Sequence, residues 1–224
     1  EGEISHRDIN WTLLGETIEK SIRLLDNVID LNFYPTEEAS NSNKKHRPIG
    51  LGMMGLHDVL HILNIPIDSE RSIEFNDKLF EFYSLHSISA SSRLAEERGA
   101  YGSFIGSLWD QGVLPLDSWN LLMNYRGKRK AHKTQFDWDK TRDLIKNHGM
   151  RNSNVMAIAP TATIGYINGV EQSIEPNFSV LFVYENKSGN FYITNPHFVN
   201  DMKSIGIWSE KVASMVKDAD GDIS

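Results

Sequence analysis

Cysteine is absent from all 224 residues, so the chain carries no thiol nucleophile, thiolate metal site or redox dithiol. An excess of positive charge is absent too. The 23 Lys and Arg face 30 Asp and Glu, a formal net charge of −7, which argues against a general binder of nucleic acid or anionic membranes. No apolar run approaches the ~20 residues of a membrane-spanning helix, and no charged-then-apolar leader opens the chain; the expected location is cytoplasmic. An initiating methionine is lacking as well: the first residue is Glu1, which reads as a processed product or an excised piece. What remains is ordinary globular composition, 40% hydrophobic and 24% charged. A chain of this length buries roughly 70% of its unfolded surface, which excludes disorder and a disulfide-stapled scaffold.

Hydrophobic spacing sets the elements. Trp11, Leu14, Ile18, Ile22, Leu25 and Ile29 recur every three or four residues and predict a helix over 10–31, capped by Asp8 or Asn10 and closed by Asn32 and Pro35. The polar stretch 36–45 reads as an exposed loop, and 46–55 as a short buried strand entering a tight turn. A short helix follows over 56–63. A long one is expected over 69–98, capped by Asp68 or Ser69, stopped at Gly99, and burying Ile73, Leu79, Phe80, Tyr83, Ser87, Ala90 and Leu94. Further helices are expected over 116–125 and 138–148, a buried strand over 154–159, a β-hairpin from 181–184 and 191–194, and a last helix over 195–205. Helices interleaved with short apolar strands give an α/β class. The whole of 1–224 reads as one domain, with an exposed basic loop over 126–137 and a frayed end over 217–224.

One constellation points to chemistry. A strand ending at Pro160 runs into Thr161, Ala162, Thr163 and Ile164, small hydroxyl and apolar residues that open a helix. The first amides of a helix have no partner within it and carry the positive end of its dipole, a ready place for a phosphate. No lysine accompanies them, so the hold depends on geometry. The same segment reads equally as a capped helix after a strand. His57 and His61, four apart, have the spacing of a metal pair but no third ligand nearby, so one surface and one packed histidine is the better reading. Arg126, Lys128, Arg129, Lys130, His132 and Lys133 form a basic patch without the interleaved aromatics of a single-strand platform; a solvated loop fits better. Glu171 and Glu175 lack an accompanying nucleophile and fit a turn packed on the candidate phosphate helix.

Several motifs in order resemble the catalytic (large, α) subunit of ribonucleotide reductases. They are Leu25-Asp-Asn-Val-Ile-Asp-Leu-Asn-Phe-Tyr-Pro35, Arg47-Pro-Ile-Gly-Leu-Gly-Met-Met-Gly55, Leu94-Ala-Glu-Glu-Arg-Gly99, Arg151-Asn-Ser-Asn-Val-Met-Ala-Ile-Ala-Pro-Thr-Ala-Thr163 and Gln172-Ser-Ile-Glu-Pro176. The resemblance runs over nearly the whole chain and is nearest to class I α subunits, with the cobalamin-dependent class II enzymes as relatives. It implies the C-terminal portion, the second half, of a ten-stranded α/β barrel with helices outside. It also implies that Pro160, Thr161, Ala162, Thr163 and Ile164 form the substrate-phosphate loop of a ribonucleoside-diphosphate reductase.

The family's chemistry needs a radical-bearing cysteine and a reducing cysteine pair. This chain has none, so the resemblance implies no catalytic residue, metal ligand or cofactor in it. A complete enzyme would add the cysteine-bearing remainder of the α subunit and a radical source, either a metal-containing β subunit or, in class II, adenosylcobalamin. Nucleotide effectors, thioredoxin or glutaredoxin for re-reduction and a ribonucleotide substrate would complete the set, with no membrane or nucleic-acid partner. The chain then reads as a split or partial subunit, inactive alone. A non-catalytic phosphate-binding or protein-interaction domain of the same fold is the alternative.

Overall fold

The apolar stripe beginning at Trp11 builds the first helix. In the computed structural model, which describes residues 9–127, 133–177, 179–187 and 189–223, α1 spans Trp11–Leu31, its first turn capped by Asn10, whose Oδ1 accepts from Leu13 N at 3.0 Å. Eight helices follow: α2 (Glu37–His46), α3 (Leu56–Ile62), α4 (Glu70–Arg98), α5 (Pro115–Tyr125), α6 (Asp139–His148), α7 (Ala162–Asn168), α8 (Pro196–Ser204) and α9 (Glu210–Asp218). Strands β1 (Leu181–Asn186) and β2 (Gly189–Thr194) lie between α7 and α8. The chain divides into two units, one of Ile9–Gly52 and Ile73–Ala159, the other including Met53–Ser72 and the chain from Pro160 onward.

In the first unit α1 buries Ile18, Ile22 and Ile29, and α4 buries Leu79, Phe82, Tyr83, Ile88, Leu94 and Ala95. Trp11 meets Phe82 edge-on at 4.9 Å. The expected face of α4 is buried at Leu79, Tyr83, Ser87, Ala90 and Leu94, whereas Phe80 is half-buried and Ile73, in the first turn, is 69% exposed. Serines on α4 reach other segments: Ser92 Oγ donates to Gly149 O (2.8 Å) and Ser89 pairs with Thr141 (2.7 Å). The buried Glu81 carboxylate accepts from Gln135 N, Phe136 N and Trp138 Nε1, which fixes the chain leading into α6.

The main polar centre of this unit is Asp26, fully buried on α1. Arg47 Nε donates to its Oδ1 (2.9 Å), Arg98 Nη1 and Arg151 Nε to its Oδ2 (3.0 and 3.3 Å), and Asn152 Nδ2 to Oδ1 (3.0 Å). Arg47 also grips Asp30 through both terminal nitrogens at 2.8 Å, and this hydrogen-bonded cation holds the Asp30 carboxyl below the usual carboxylate range. Arg47 itself closes α2 with φ +46.

From Arg47 the chain extends alongside residues 154–157. Ile49 N donates to Asn154 O (3.0 Å), Leu51 N to Val155 O (2.9 Å) and Ala157 N to Leu51 O (3.1 Å), a parallel pairing reduced to one bridge, Leu51 to Met156. Gly50 and Gly52 permit this approach, since a Cβ on either would lie 2.8 or 2.9 Å from Ala157. The expected strand over 154–159 is therefore short. It is buried at Val155 but exposed from Ala157 on, with Ile158 49% accessible, because among the described residues it is paired along one edge alone.

Two other expectations change. The stretch 36–45 is not a loop but α2: Thr36 Oγ1 caps Ala39 N at 3.2 Å, Glu37 and Glu38 open the helix, and Lys44, Lys45 and His46 close it. Caps and charges matched to the dipole make this helix without burying any residue. The second is α9, beyond the expected last helix, capped by Ser209 Oγ on Val212 N.

The second unit is thinner in apolar burial, with Leu56 and Leu60 of α3, Phe198 of α8 and Val216 of α9 as its buried large side chains among the described residues. The expected hairpin is present in the register Leu181 to Thr194 through Asn186 to Gly189, longer than expected at both inner ends. Pro196 opens α8 behind Asn195, whose Oδ1 accepts from His197 N and Phe198 N. After α9 the chain turns, with Gly221 N donating to Val216 O. The described content is α/β with helix predominating; its one ladder is this hairpin.

Replacing Asp26 with Ala removes the buried acceptor that Arg47, Arg98, Arg151 and Asn152 share. A loss of about 3–5 kcal/mol is expected in urea unfolding. Glu16→Ala, which breaks an exposed pair with Lys20, should cost about 0–0.5 kcal/mol.

Candidate phosphate loop and its support

All of the candidate loop lies in the second unit. Pro160 precedes Thr161, which adopts a left-handed conformation (φ +51, ψ 28) at the start of α7. Gly165 N donates to Thr161 O at 2.8 Å. Ahead of it, the amides of Ala162, Thr163 and Ile164 donate no backbone hydrogen bond among the described residues, and all three residues are exposed. Three adjacent unpaired amides beside the Thr163 hydroxyl can accept an anion, and no cationic side chain belongs to the segment.

The left-handed turn at Thr161 is held from the side. Ser173, buried and also left-handed at φ +50, donates its N–H to Thr161 Oγ1 at 2.7 Å. Ser173 belongs to a stretch that follows α7 and is fastened to α3. Gly55 N donates to Glu171 O (2.8 Å), Glu171 N to Asp58 Oδ2 (2.7 Å) and Asn177 N to His57 Nδ1 (3.1 Å). Asp58 Oδ1 faces His197 Nε2 of α8 at 3.1 Å. The Asn177 amide, with its nitrogen toward Glu171, donates to that carboxylate at 2.7 Å and accepts from Asn195 Nδ2.

This is where His57 and His61 lie. Their rings meet edge-on at 4.4 Å, and His61 stacks on His197 at 5.4 Å. Among the described residues no group of three or more His, Asp or Glu is arranged to hold a metal ion. His57 instead accepts a backbone amide, which it can do only with Nδ1 unprotonated. Burial and then the neighbouring His57 and His197 push the pKa of His61 down. Burial and then the nearby Asp58 carboxylate push Glu171 up. Glu175 is exposed and separate from this cluster, its N–H closing a turn onto Gln172 O. Of the basic patch, Arg126 and Lys133 are exposed, while Lys128, Arg129, Lys130 and His132 lie outside the described residues.

Sequence reasoning singled out the loop and the two histidines but passed over Asp58, Ser173 and His197. Nothing in local pattern marks Asp58 as an anchor, and a left-handed serine leaves no compositional trace. The one available signal was Asn195-Pro196, a cap followed by a proline at a helix start, which fixes where His197 falls on α8.

The lowered pKa of His61 has a sign that can be tested. Its neutral form is the one the fold favours, so its contribution is present above the ordinary value of 6.5 and is lost as pH falls below it. The raised pKa of Glu171 works the other way, since the fold gains as that carboxyl becomes protonated. The urea midpoint should therefore fall between about pH 7 and pH 5.5, and fall less in His61→Gln, which removes the histidine contribution while leaving Glu171 in place.

Comparison with known proteins agrees with the order of the motifs. The family model described as the ribonucleotide reductase barrel domain matches residues 3–224. The chain is similar to the ribonucleoside-diphosphate reductase subunit alpha of Chlamydia pneumoniae, 50% identical over 213 residues, covering 94% of this chain and 20% of that protein. The corresponding protein of Chlamydia muridarum is 49% identical over the same shares. The large subunit of Plasmodium falciparum is 34% identical over 221 residues, 99% of this chain and 26% of that protein. The chain thus spans about a fifth to a quarter of the length of these curated relatives. With a match extending from residue 3 to the last residue, it belongs to the ribonucleotide reductase barrel-domain family.

Proposed function

We propose that this chain is a portion of the catalytic subunit of a class I ribonucleoside-diphosphate reductase, forming one wall of the active site and holding the substrate's phosphates. The observation that carries this reading is the coincidence of two independent features. The family match covers residues 3–224, and within it the amides of Ala162, Thr163 and Ile164 stand unpaired on exposed residues. Pro160 and Thr161 set the entry of this loop. The three amides would donate to phosphate oxygens, with the Thr163 hydroxyl as a further donor, and would fix the ribose relative to the reacting groups.

The remaining parts of the reading are what the family resemblance implies for a chain without cysteine. A chain without cysteine cannot supply thiyl or dithiol chemistry, so the cysteines belong to the rest of the α subunit, which would complete the ten-stranded barrel with residues 1–224 as one portion of it. The radical source, supplied by a β subunit, provides the one-electron oxidation that starts the reaction, and thioredoxin or glutaredoxin would re-reduce the cysteines. No helix among the described residues is long and apolar enough to cross a membrane.

Two measurements test this. Mixing the chain with the cysteine-bearing α polypeptide and the β subunit should give deoxynucleotide formation that needs every component. Activity without the chain, or turnover by the chain alone, would overturn the division of labour. Separately, Thr163→Pro removes one amide at a helix position that tolerates proline. Calorimetric affinity for a ribonucleoside diphosphate should fall by about tenfold or more, the worth of one hydrogen bond to a charged group. Unchanged affinity in a folded variant would remove the loop from the substrate site.

A further inference from the structure

We propose that Asp58 is a positioning residue for the phosphate loop, acting on Thr161 through residues 171–173. The inference rests on the reading of residues 160–164 as the phosphate loop and adds what holds that loop in shape.

The loop has little to hold it from within. Its anion-binding amides are unpaired by nature, and α7 is seven residues long. Thr161 sits in the left-handed region, which a β-branched residue seldom occupies without an external constraint. That constraint is the bond from Ser173 N to Thr161 Oγ1, and Ser173 is itself left-handed. Two such residues bonded to each other cannot fix their own position, so a further anchor is required.

Asp58 is that anchor. Two residues before Ser173, the N–H of Glu171 donates to Asp58 Oδ2 and the C=O of Glu171 accepts from Gly55 N. Both polar groups of one backbone residue are thus held by the start of α3. The other Asp58 oxygen faces His197, which prevents the carboxylate from turning away. The chain of contacts runs from His197 to Asp58, Glu171, Ser173 and Thr161, each link a hydrogen bond or a short stretch of backbone. Without Asp58 the Glu171 amide loses its acceptor, the Ser173 bond loosens and the loop amides lose their common aim.

The surroundings predict a signature that a purely structural role lacks. Asparagine at position 58 can accept from Glu171 N with its oxygen and donate to His197 Nε2 with its nitrogen, provided His197 is neutral. Protonated, His197 would meet a donor with a donor. The titratable groups around position 58 are His57 and His61 on α3, Glu171, and His197 and Asp201 on α8. Of these, His197 touches the asparagine nitrogen.

The test uses the full chain with a ribonucleoside diphosphate in calorimetry, and amide exchange of Ser173 and Gly165 by NMR. Asp58→Ala should weaken binding about tenfold or more, as lost hydrogen bonds to charge do. It should speed Ser173 exchange while leaving the α4 amides protected. Asp58→Asn should keep native affinity and native Ser173 exchange at about pH 7.5, since its oxygen still accepts from Glu171 N and its nitrogen replaces the oxygen that faces His197.

Native affinity and native Ser173 exchange in Asp58→Ala would overturn the proposal. So would an Asp58→Asn variant that behaves like Asp58→Ala, because an acceptor for Glu171 N restored at position 58 would then have no effect on the loop. Failure of the native chain itself to bind the nucleotide overturns the phosphate reading and, with it, the purpose assigned to Asp58. That outcome is told apart by Ser173 exchange, which reports the clasp without ligand.

Discussion

A single buried carboxylate organises the larger unit. Asp26 has no solvent access, and an ion in that position is costly unless every lone pair finds a donor. Three arginines and Asn152 supply the donors, and they come from the end of α2, the end of α4 and the stretch before residue 154. Satisfying them all at once requires those three segments to converge on the buried face of α1. The network therefore selects an arrangement more than it adds stability, which the aliphatic core of α1 and α4 supplies. One consequence is direct: Arg47 is held in a left-handed turn, and the chain leaves that turn extended, in register with residues 154–157. The strand leading toward Pro160 is thus placed by a charge far from it in sequence.

How much of this could be read from the sequence depends on the range of the interaction. α1, α4 and α6 announce themselves because apolar spacing, caps and stops are local signals. α2 escaped because periodicity was the wrong test for it: with no buried residue, its existence rests on Thr36 at one end and Lys44, Lys45 and His46 at the other. The stretch 154–159 misled in the opposite sense, since an apolar run reads as buried on both sides, and here one edge has no strand beside it among the described residues. The Asp26 network was invisible, because Arg47, Arg98 and Asn152 lie 21, 72 and 126 residues away and nothing in the local pattern of any one of them names the others.

The candidate site divides along the same line. Small residues after Pro160 were legible as an amide-lined helix start, since that follows from helix geometry alone. The left-handed Thr161 was not, and neither was the Ser173 bond that sustains it, twelve residues on. The histidines were read as one surface and one packed side chain rather than a metal pair; both are half-buried, His57 accepting a backbone amide and His61 stacked on His197.

The smaller unit also shows why a loop of this type needs an outside support. A phosphate site built on lysine or arginine can tolerate displacement, because a charge acts in all directions and falls off slowly. An amide acts along its N–H bond, and its contribution is lost with modest misalignment. This chain is acidic overall and offers no cation in residues 160–164, so the proposed phosphate affinity there would depend on direction. The few apolar side chains buried around α3 and α8 cannot specify angles, since hydrophobic burial is not directional. Hydrogen bonds can, and a half-buried set with both oxygens of one carboxylate engaged is a compact way to supply them. A loop that binds by geometry is expected to rest on polar contacts behind it, and Asp58, with Glu171 on one oxygen and His197 on the other, meets that requirement.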